Sequence, residues 1–565
     1  MPARAPAVEK RTLRGLGVAL GVAGLVLLDY HLGRPWLFRH HIITYINEDV
    51  ATGLKAVVAF TALALSVWAL VRRLSGNPFP KKTILYVTIL FGALGVVGYI
   101  SADDLGSTNF IHRWEFFHYY LGSKYPKELA YKRLYVCAAV AQSELGPAMR
   151  AEAMARNIRD LETDVIKPAA PFLEHPEACK DHFTPERWAS FKKDVYWFRT
   201  TANKKFWEGM STDHGYNPPP VWTMSGHFFG SLFPTVTNTS MSILASLDTI
   251  VFALTFFSVW WAFGLETCCF VLLFWGLQFP ANGYFTGGAF LRQDWLLFLV
   301  LAACLLRKHY WALAGASLAM SSLLRVFPAI FFAGIAVVAV TYFLKHRRFA
   351  KHHLRVFAGA AVASVVLITA SMGVAGADSY PNFFRHIQLH QRTPLTNNMG
   401  LPVLLSYTAE GRAERTREAD ALDEFGKWAE VHATTLEKRR TSYLAINAFL
   451  VAVLVLVVRK VKTLWVAMAL SAILVVSIPT LTCYYYTFFL VPALLSKASA
   501  GTARMSLLAV GISALIVLWG RASYQWDDRF TTQSIVFLCF AFALLVGFMQ
   551  EQPPKRATAV PKPTA

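Results

Sequence analysis

Residues 83–100 read TILYVTILFGALGVVGYI, eighteen residues without a charge, with Lys81 and Lys82 before them and Asp103 and Asp104 soon after. A helix rises ~1.5 Å per residue, so this run reaches ~27 Å, close to the thickness of a bilayer's hydrocarbon core. It predicts a membrane-spanning helix with charged ends. Outward from it, about fourteen such runs lie near 14–33, 51–71, 83–100, 241–263, 266–280, 294–306, 310–326, 328–345, 355–374, 442–458, 463–480, 483–497, 505–520 and 533–549. Those at 266–280 and 294–306 are short, which predicts tilted, re-entrant or extended segments. The run at 14–33 lacks an Ala-x-Ala cleavage site and carries Asp29 and His31 near its end, so it reads as an anchor and not a removed signal.

Composition agrees. Of 565 residues, 55% belong to the AVILMFWYC set and 16% are charged, against about 25% charged in soluble domains. Mean hydropathy is +0.39. The expected class is an all-α polytopic membrane protein. The net charge of +20 would suggest nucleic acid in a soluble chain, but Lys and Arg in the short loops divide twenty to five between alternate sides. By the positive-inside rule the richer side faces the cytoplasm, with no nucleic-acid partner needed. Both termini are then expected in the cytoplasm, and two long loops, 101–240 and 375–441, on the opposite side. Seven cysteines without a CxxC pair exclude a zinc ribbon or disulfide scaffold. Cys137 and Cys179 share the first long loop, where an oxidising compartment permits a disulfide.

Within that loop, Leu145, Met149, Met154, Ile158 and Leu161 are spaced for one amphipathic helix over 141–165. The charge-dense stretch 409–440 reads as a solvated capping helix, and the Pro-rich tail 551–565 as disordered. No internal repeat is visible.

Charged side chains near membrane depth are costly and therefore candidates for function. Four groups qualify: Asp103 and Asp104; the run His112-Arg113-Trp114-Glu115-Phe116-Phe117-His118-Tyr119-Tyr120; Arg292-Gln293-Asp294; and Arg325 before Pro328. Carboxylates can remove a proton and guanidinium groups can hold a phosphate. Each also has a structural reading. Glu115 could pair with Arg113 or Lys124, Arg325 could snorkel, Tyr484 to Tyr486 could form an interfacial belt, and Asp248 could bond a neighbouring helix. His386 and His390 have the spacing of a metal pair but no carboxylate to complete it.

Several spaced motifs follow one another along the chain: Glu115-Phe-Phe-His-Tyr119 with Gly122 and Leu134-Tyr135; His214-Gly-Tyr216-Asn-Pro218-Pro219-Pro220-Val-Trp222; Arg292-Gln293-Asp-Trp295; Ala314-Gly315 running to Arg325-Val-Phe-Pro328; Asn397-Asn398-Met-Gly400; and Pro479 to Cys483-Tyr484-Tyr485-Tyr486. Their order and content resemble the GT-C superfamily of membrane glycosyltransferases, and within it the bacterial polyprenol-phosphate-mannose-dependent mannosyltransferases. The chain departs from the family pattern where Glu115 replaces Asp, Arg292 replaces Gly, Arg325 replaces Lys, and Tyr484 and Tyr485 replace a His pair.

The resemblance implies a GT-C-like fold of about fourteen spans with a long catalytic first outer loop. It implies a two-span extension at 1–82, a catalytic core at 83–497 and a further two-span segment at 498–550. It further implies an inverting transfer of a sugar, most simply mannose, from a polyprenyl-phosphate donor to an envelope glycan or glycolipid at the outer face of the bacterial cytoplasmic membrane. Glu115, Asp103 and Asp104 are then the candidate catalytic carboxylates. Arg325, Arg292, Gln293, His118, Tyr119, Tyr216, Asn397, Asn398, Tyr484 and Tyr485 are the candidate substrate contacts. A monophosphate donor requires no metal, and the sequence has no carboxylate cage for a divalent cation. The alternative is a transporter or flippase of a lipid-linked glycan or other anionic lipid, although polar chemistry concentrated on one face favours the enzyme.

The orientation is testable by labelling. Single cysteines at Ser107 and Gly411 should react with an impermeant thiol reagent from outside the cell, and one at His352 should not; the opposite pattern reverses the topology.

Overall fold

The computed structural model describes residues 5–33, 48–101, 110–281, 287–520 and 526–550. It is built almost wholly of helices. Among the described residues, eight helices are long and apolar enough to cross a membrane: Asp49–Leu74, Lys81–Ile100, Asn238–Phe263, Phe327–His346, Lys351–Ala375, Arg440–Val458, Ala500–Gly520 and Trp526–Met549. The chain is a multi-pass, all-α membrane protein.

Four of the other apolar runs take shorter forms. Leu265–Leu277 and Asp294–Arg307 are helices of 13 and 14 residues. The run at 463–480 divides at Ser471 into Leu464–Leu470 and Ala472–Ser477. The run at 483–497 is a succession of 3-10 and α turns, Cys483–Phe489, Leu490–Ala493 and Leu494–Lys497. The physical reason is their surroundings. Nearly every side chain from Leu464 to Ser477 and from Tyr486 to Leu495 is buried in protein, where irregular backbone is tolerated. By contrast, only 11% of the apolar window of Lys351–Ala375 is buried. Long helices thus surround an inner layer of short ones.

Small residues let these layers approach. A Cβ on Gly276 would overlap the backbone of Gly95 in the Lys81–Ser101 helix, and one on Gly334 would overlap the Ala467 carbonyl. Close backbone approach of this kind is the usual means of packing membrane helices.

Of the first long loop, residues 110–237 fold into a compact unit before the next span. Helices Arg113–Lys124, Leu134–Ser143, Pro185–Thr201 and Lys204–Ser211 enclose Phe117, Tyr135, Phe191, Phe198 and Trp207. A disulfide joins Cys137 to Cys179. The expected helix over 141–165 does not form as one piece. Gly146, at φ +124°, breaks it, and Pro147 starts the short helix Pro147–Ala155. Asn157–Asp160 and Val165–Pro168 then pair as an antiparallel hairpin, with the Asp160 carboxylate accepting from Glu162 N (3.0 Å) and Thr163 Oγ1 (2.9 Å). Ile158 and Leu161 are buried all the same, through strand and turn and not through a helical face.

The second long loop docks on this unit. Its helix Ser379–Arg392 ends at Thr393, whose hydroxyl donates to Asp164 Oδ2 (2.7 Å), while Arg159 Nη2 reaches Asp423 (3.2 Å). The stretch 409–440 contains two helices, Ala413–Thr416 and Gly426–Lys438. Its exposed ion pairs Arg417–Glu424 and Lys427–Glu418 face away from buried Trp428 and His432.

Asp164 ties the two loops together. Burial pushes its carboxyl up, but the hydrogen bonds of His214 and Thr393 and the charges of His214 and Arg159 outweigh that and hold it at about 2, below its ordinary 3.8. A depressed carboxylate contributes stability above its unfolded value and loses it as pH falls through the folded one. Denaturation of the purified protein should therefore show Asp164→Asn less stable by about 2 kcal/mol at neutral pH, the difference from wild type vanishing as pH falls from about 4 to about 2. A constant difference across that window would show that Asp164 carries no such linkage.

Candidate functional site

The segment before helix Asp294–Arg307 is pinned residue by residue into its neighbours. Gly288, at φ +63°, offers its carbonyl to His112 N (3.0 Å), and a Cβ there would overlap the Phe110 carbonyl. The Leu291 carbonyl accepts from Trp222 Nε1 (3.0 Å) and the Arg292 carbonyl from Trp295 Nε1 (2.9 Å). Asp248, in a neighbouring helix, accepts the backbone N–H of Arg292 (3.0 Å) and Gln293 (3.1 Å). Arg292 is thereby held beside Glu115, in the first turn of helix Arg113–Lys124, and the two form an ion pair with side chains only 5% and 13% exposed.

Neither expected partner of Glu115 is used. Lys124 instead forms a buried pair with Asp194 (2.8 Å), and Arg113 lies over the Trp197 ring (5.8 Å). The reason is rotation along the helix: Lys124 is two and a half turns from Glu115 and points into the loop core.

Arg325 enters from elsewhere. Helix Trp311–Leu324 stops there because Pro328 opens a 3-10 turn, Phe327–Phe331, and Arg325 itself is extended. Its guanidinium lies 5.7 Å from the Tyr119 ring centre and 5.4 Å from that of Trp222. Arg292 lies 5.9 Å from the same Tyr119 ring and 3.9 Å from Tyr484. Two guanidinium groups thus flank one tyrosine, backed on one side by a carboxylate. Arg325 Nη1 donates to the Leu324 carbonyl (2.8 Å), whereas its buried Nε has no hydrogen-bond partner.

Arg325 lines a cavity of about 960 Å³, shared by Asn398, Tyr484 and Tyr485. Its walls include Phe327, Ile330, Phe383, Ile387 and Leu436. Asn398 is placed by a two-residue ladder, Asn398–Met399 against Leu481–Thr482, and the Asn397 carbonyl accepts Cys483 N (2.9 Å). Asn397 therefore shapes the wall through its backbone.

Other candidates stand apart from the cavity. His118 meets the Trp114 carbonyl with Nδ1 (2.7 Å), and with Nε2 the Tyr135 hydroxyl (2.7 Å) and Met210 carbonyl (3.0 Å). Both its nitrogens belong to the loop core. Tyr216 bonds Thr223 (2.6 Å), with its ring over Gly122, where a Cβ would overlap it. The Tyr119 hydroxyl donates to Asn217 (3.0 Å), and Gln293 Oε1 accepts from Thr487 (3.4 Å). Asp103 and Asp104 lie outside the described residues. Among the described residues no group of three or more His, Cys, Asp or Glu is arranged around a metal-sized site.

Sequence reasoning did not single out Asp527, Thr531 and Trp428, which also line the cavity, and it weighed His390, another lining residue, only as half of a metal pair with His386. The signal for Asp527 was present: an Asp527-Asp528 pair opening an apolar span has the same pattern as Asp103 and Asp104. No protein family model, no curated protein and no solved structure matches the chain. Its fold and site define a helical multi-pass membrane protein with a large cavity of mixed polar and apolar lining, to which Arg325 and Arg392 bring positive charge and Asp527 and Glu437 carboxylates.

A buried ion pair broken on one side typically costs ~3–5 kcal/mol because the remaining charge is uncompensated. Glu115→Ala should accordingly lower the thermal midpoint sharply, and adding Arg292→Met should restore most of the loss. A double variant as unstable as the single would show that Arg292 is stabilised by other partners.

Proposed function

We propose that the chain is a GT-C-like membrane glycosyltransferase that moves a sugar, most simply mannose, from a polyprenyl-phosphate donor to an acceptor at the outer face of a bacterial cytoplasmic membrane. One observation carries the reading: a guanidinium group with a buried, unpartnered Nε lines a large cavity that also offers an apolar patch, Phe327, Ile330, Phe383, Ile387 and Leu436. That combination suits a phosphate attached to an apolar chain, since a planar fork of donors matches phosphate oxygens and the patch takes the hydrocarbon. The basic excess on one side of the chain supports the orientation.

In this mechanism the acceptor hydroxyl oxygen attacks the anomeric carbon while the bond from that carbon to the phosphate oxygen breaks. The leaving polyprenyl phosphate keeps the bonding electron pair, and Arg325 stabilises its growing charge. The acceptor proton passes to a carboxylate, and inversion follows from single displacement. Glu115 is the proposed base. In the structure its carboxylate is held by Arg292 and does not line the cavity, so donor binding has to draw Arg292 toward the phosphate across Tyr484 and release the carboxylate. Asp103 and Asp104 remain the alternative bases.

Reconstituted protein supplied with polyprenyl-phosphate mannose and membrane-derived acceptors tests the proposal. Glu115→Gln should lower turnover ~10²–10⁴-fold with donor binding largely kept, once rates are referred to folded protein. Arg325→Ala should weaken donor binding as well as transfer, because a phosphate contact acts in both ground and transition states. Movement of a lipid-linked sugar across vesicles with no release to an acceptor would overturn the enzyme reading. A dead Asp103→Asn or Asp104→Asn beside an active Glu115→Gln would move the base and leave the reaction class intact.

A further inference from the structure

The same cavity holds a second polar corner, supplied by the C-terminal helix. Asp527 and Thr531 lie four residues apart in Trp526–Gln550, hence on one face, and both line the cavity. Asp527 is 3% exposed. Its Oδ2 accepts from Ala413 N (2.8 Å) and Trp428 Nε1 (3.0 Å), while its Oδ1 is buried with no hydrogen-bond partner. The Thr531 hydroxyl is likewise buried and unpartnered. A carboxylate oxygen and a hydroxyl left without partners cost free energy unless something from the cavity completes them.

The neighbours do not complete them. Asp528 accepts from the Tyr407 hydroxyl (2.7 Å) and faces Arg412 at 3.9 Å. His432 has its ring nitrogens against Ser406 Oγ (3.0 Å) and the Gly411 carbonyl (3.2 Å). The indole of Trp428, with its N–H committed to Asp527 and its ring packed against that of His432 (centroids 4.3 Å apart), lines the cavity beside them.

We infer that the Asp527–Thr531 corner binds the hydroxyl groups of a sugar headgroup. A sugar hydroxyl donates to Asp527 Oδ1, and a neighbouring one exchanges a hydrogen bond with Thr531, which both donates and accepts. The indole covers the ring's C–H face. An ammonium ligand would satisfy the carboxylate but leave the Thr531 hydroxyl without an acceptor for its proton. Within the proposed transferase this corner is the place of the second substrate; the binding itself stands without that reading.

The test uses the full chain in phosphatidylcholine nanodiscs, without any lipid-linked donor, and a photoreactive octyl glucoside as probe. Saturable labelling should map to peptides containing Trp428 or Asp527–Thr531 and be displaced by unlabelled octyl glucoside. Asp527→Asn keeps an oxygen for Ala413 and Trp428 and places an amide at the free position, so affinity should fall about tenfold, the loss of one charge-assisted hydrogen bond. Thr531→Val preserves shape and should weaken binding about threefold, with an unchanged thermal midpoint; it carries the test if Asp527→Asn does not fold. Wild-type affinity in the folded variants, or displacement by octyltrimethylammonium where octyl glucoside fails, would overturn the inference. A Glu115→Gln protein that transfers normally yet loses the probe with Asp527→Asn leaves the inference standing and affects only the choice of base.

Discussion

The ion pair between Glu115 and Arg292 joins the first long loop to the segment that leads into helix Asp294–Arg307. Two charges with little solvent access are tolerable only if each neutralises the other, and that requirement dictates where both backbones run. The carboxylate is fixed by the first turn of a loop helix. The guanidinium is fixed by a segment whose carbonyls and N–H groups are taken up by His112, Trp222, Trp295 and Asp248. Gly288 is needed within it because only a residue without a side chain fits against the Phe110 carbonyl at positive φ.

Around that joint the helices are sorted by solvent. Runs that face lipid need every backbone group satisfied internally and are long regular helices; runs enclosed by protein are released from that demand and break into short turns. The breaks fall where the site needs them. Arg325 projects from the end of a helix unwound before Pro328, and Tyr484 and Tyr485 come from a 3-10 turn. A regular helix through either stretch would turn these side chains around its axis instead of bringing them to one wall.

The cavity that results has two polar ends of opposite character. Arg325 offers donors and Asp527 an acceptor, and polar and apolar residues of the core, the second long loop and the C-terminal helix share the walls. The last helix belongs to the site as much as to the scaffold, since Asp527 also fixes Trp428 and Ala413 and Ser534 accepts Gly400 N (3.0 Å).

The sequence alone determined the membrane class, the approximate position of the long spans and the two long loops, because uninterrupted apolar runs and their charged ends report local burial directly. It also singled out Glu115, Arg292 and Arg325 as costly charges near membrane depth. It did not determine which charge meets which. Glu115 passed over Arg113 and Lys124 for a residue distant in the chain, because pairing depends on which helix faces turn inward. Nor could spacing distinguish Ile158 and Leu161 on a hairpin from the same residues on a helix, since both buried them. Asp527 joined the cavity wall only through tertiary packing: a carboxylate opening a span looks hydrated in the sequence, and here the loop helix carrying Trp428 covers it, binds one oxygen and leaves the other buried without a partner.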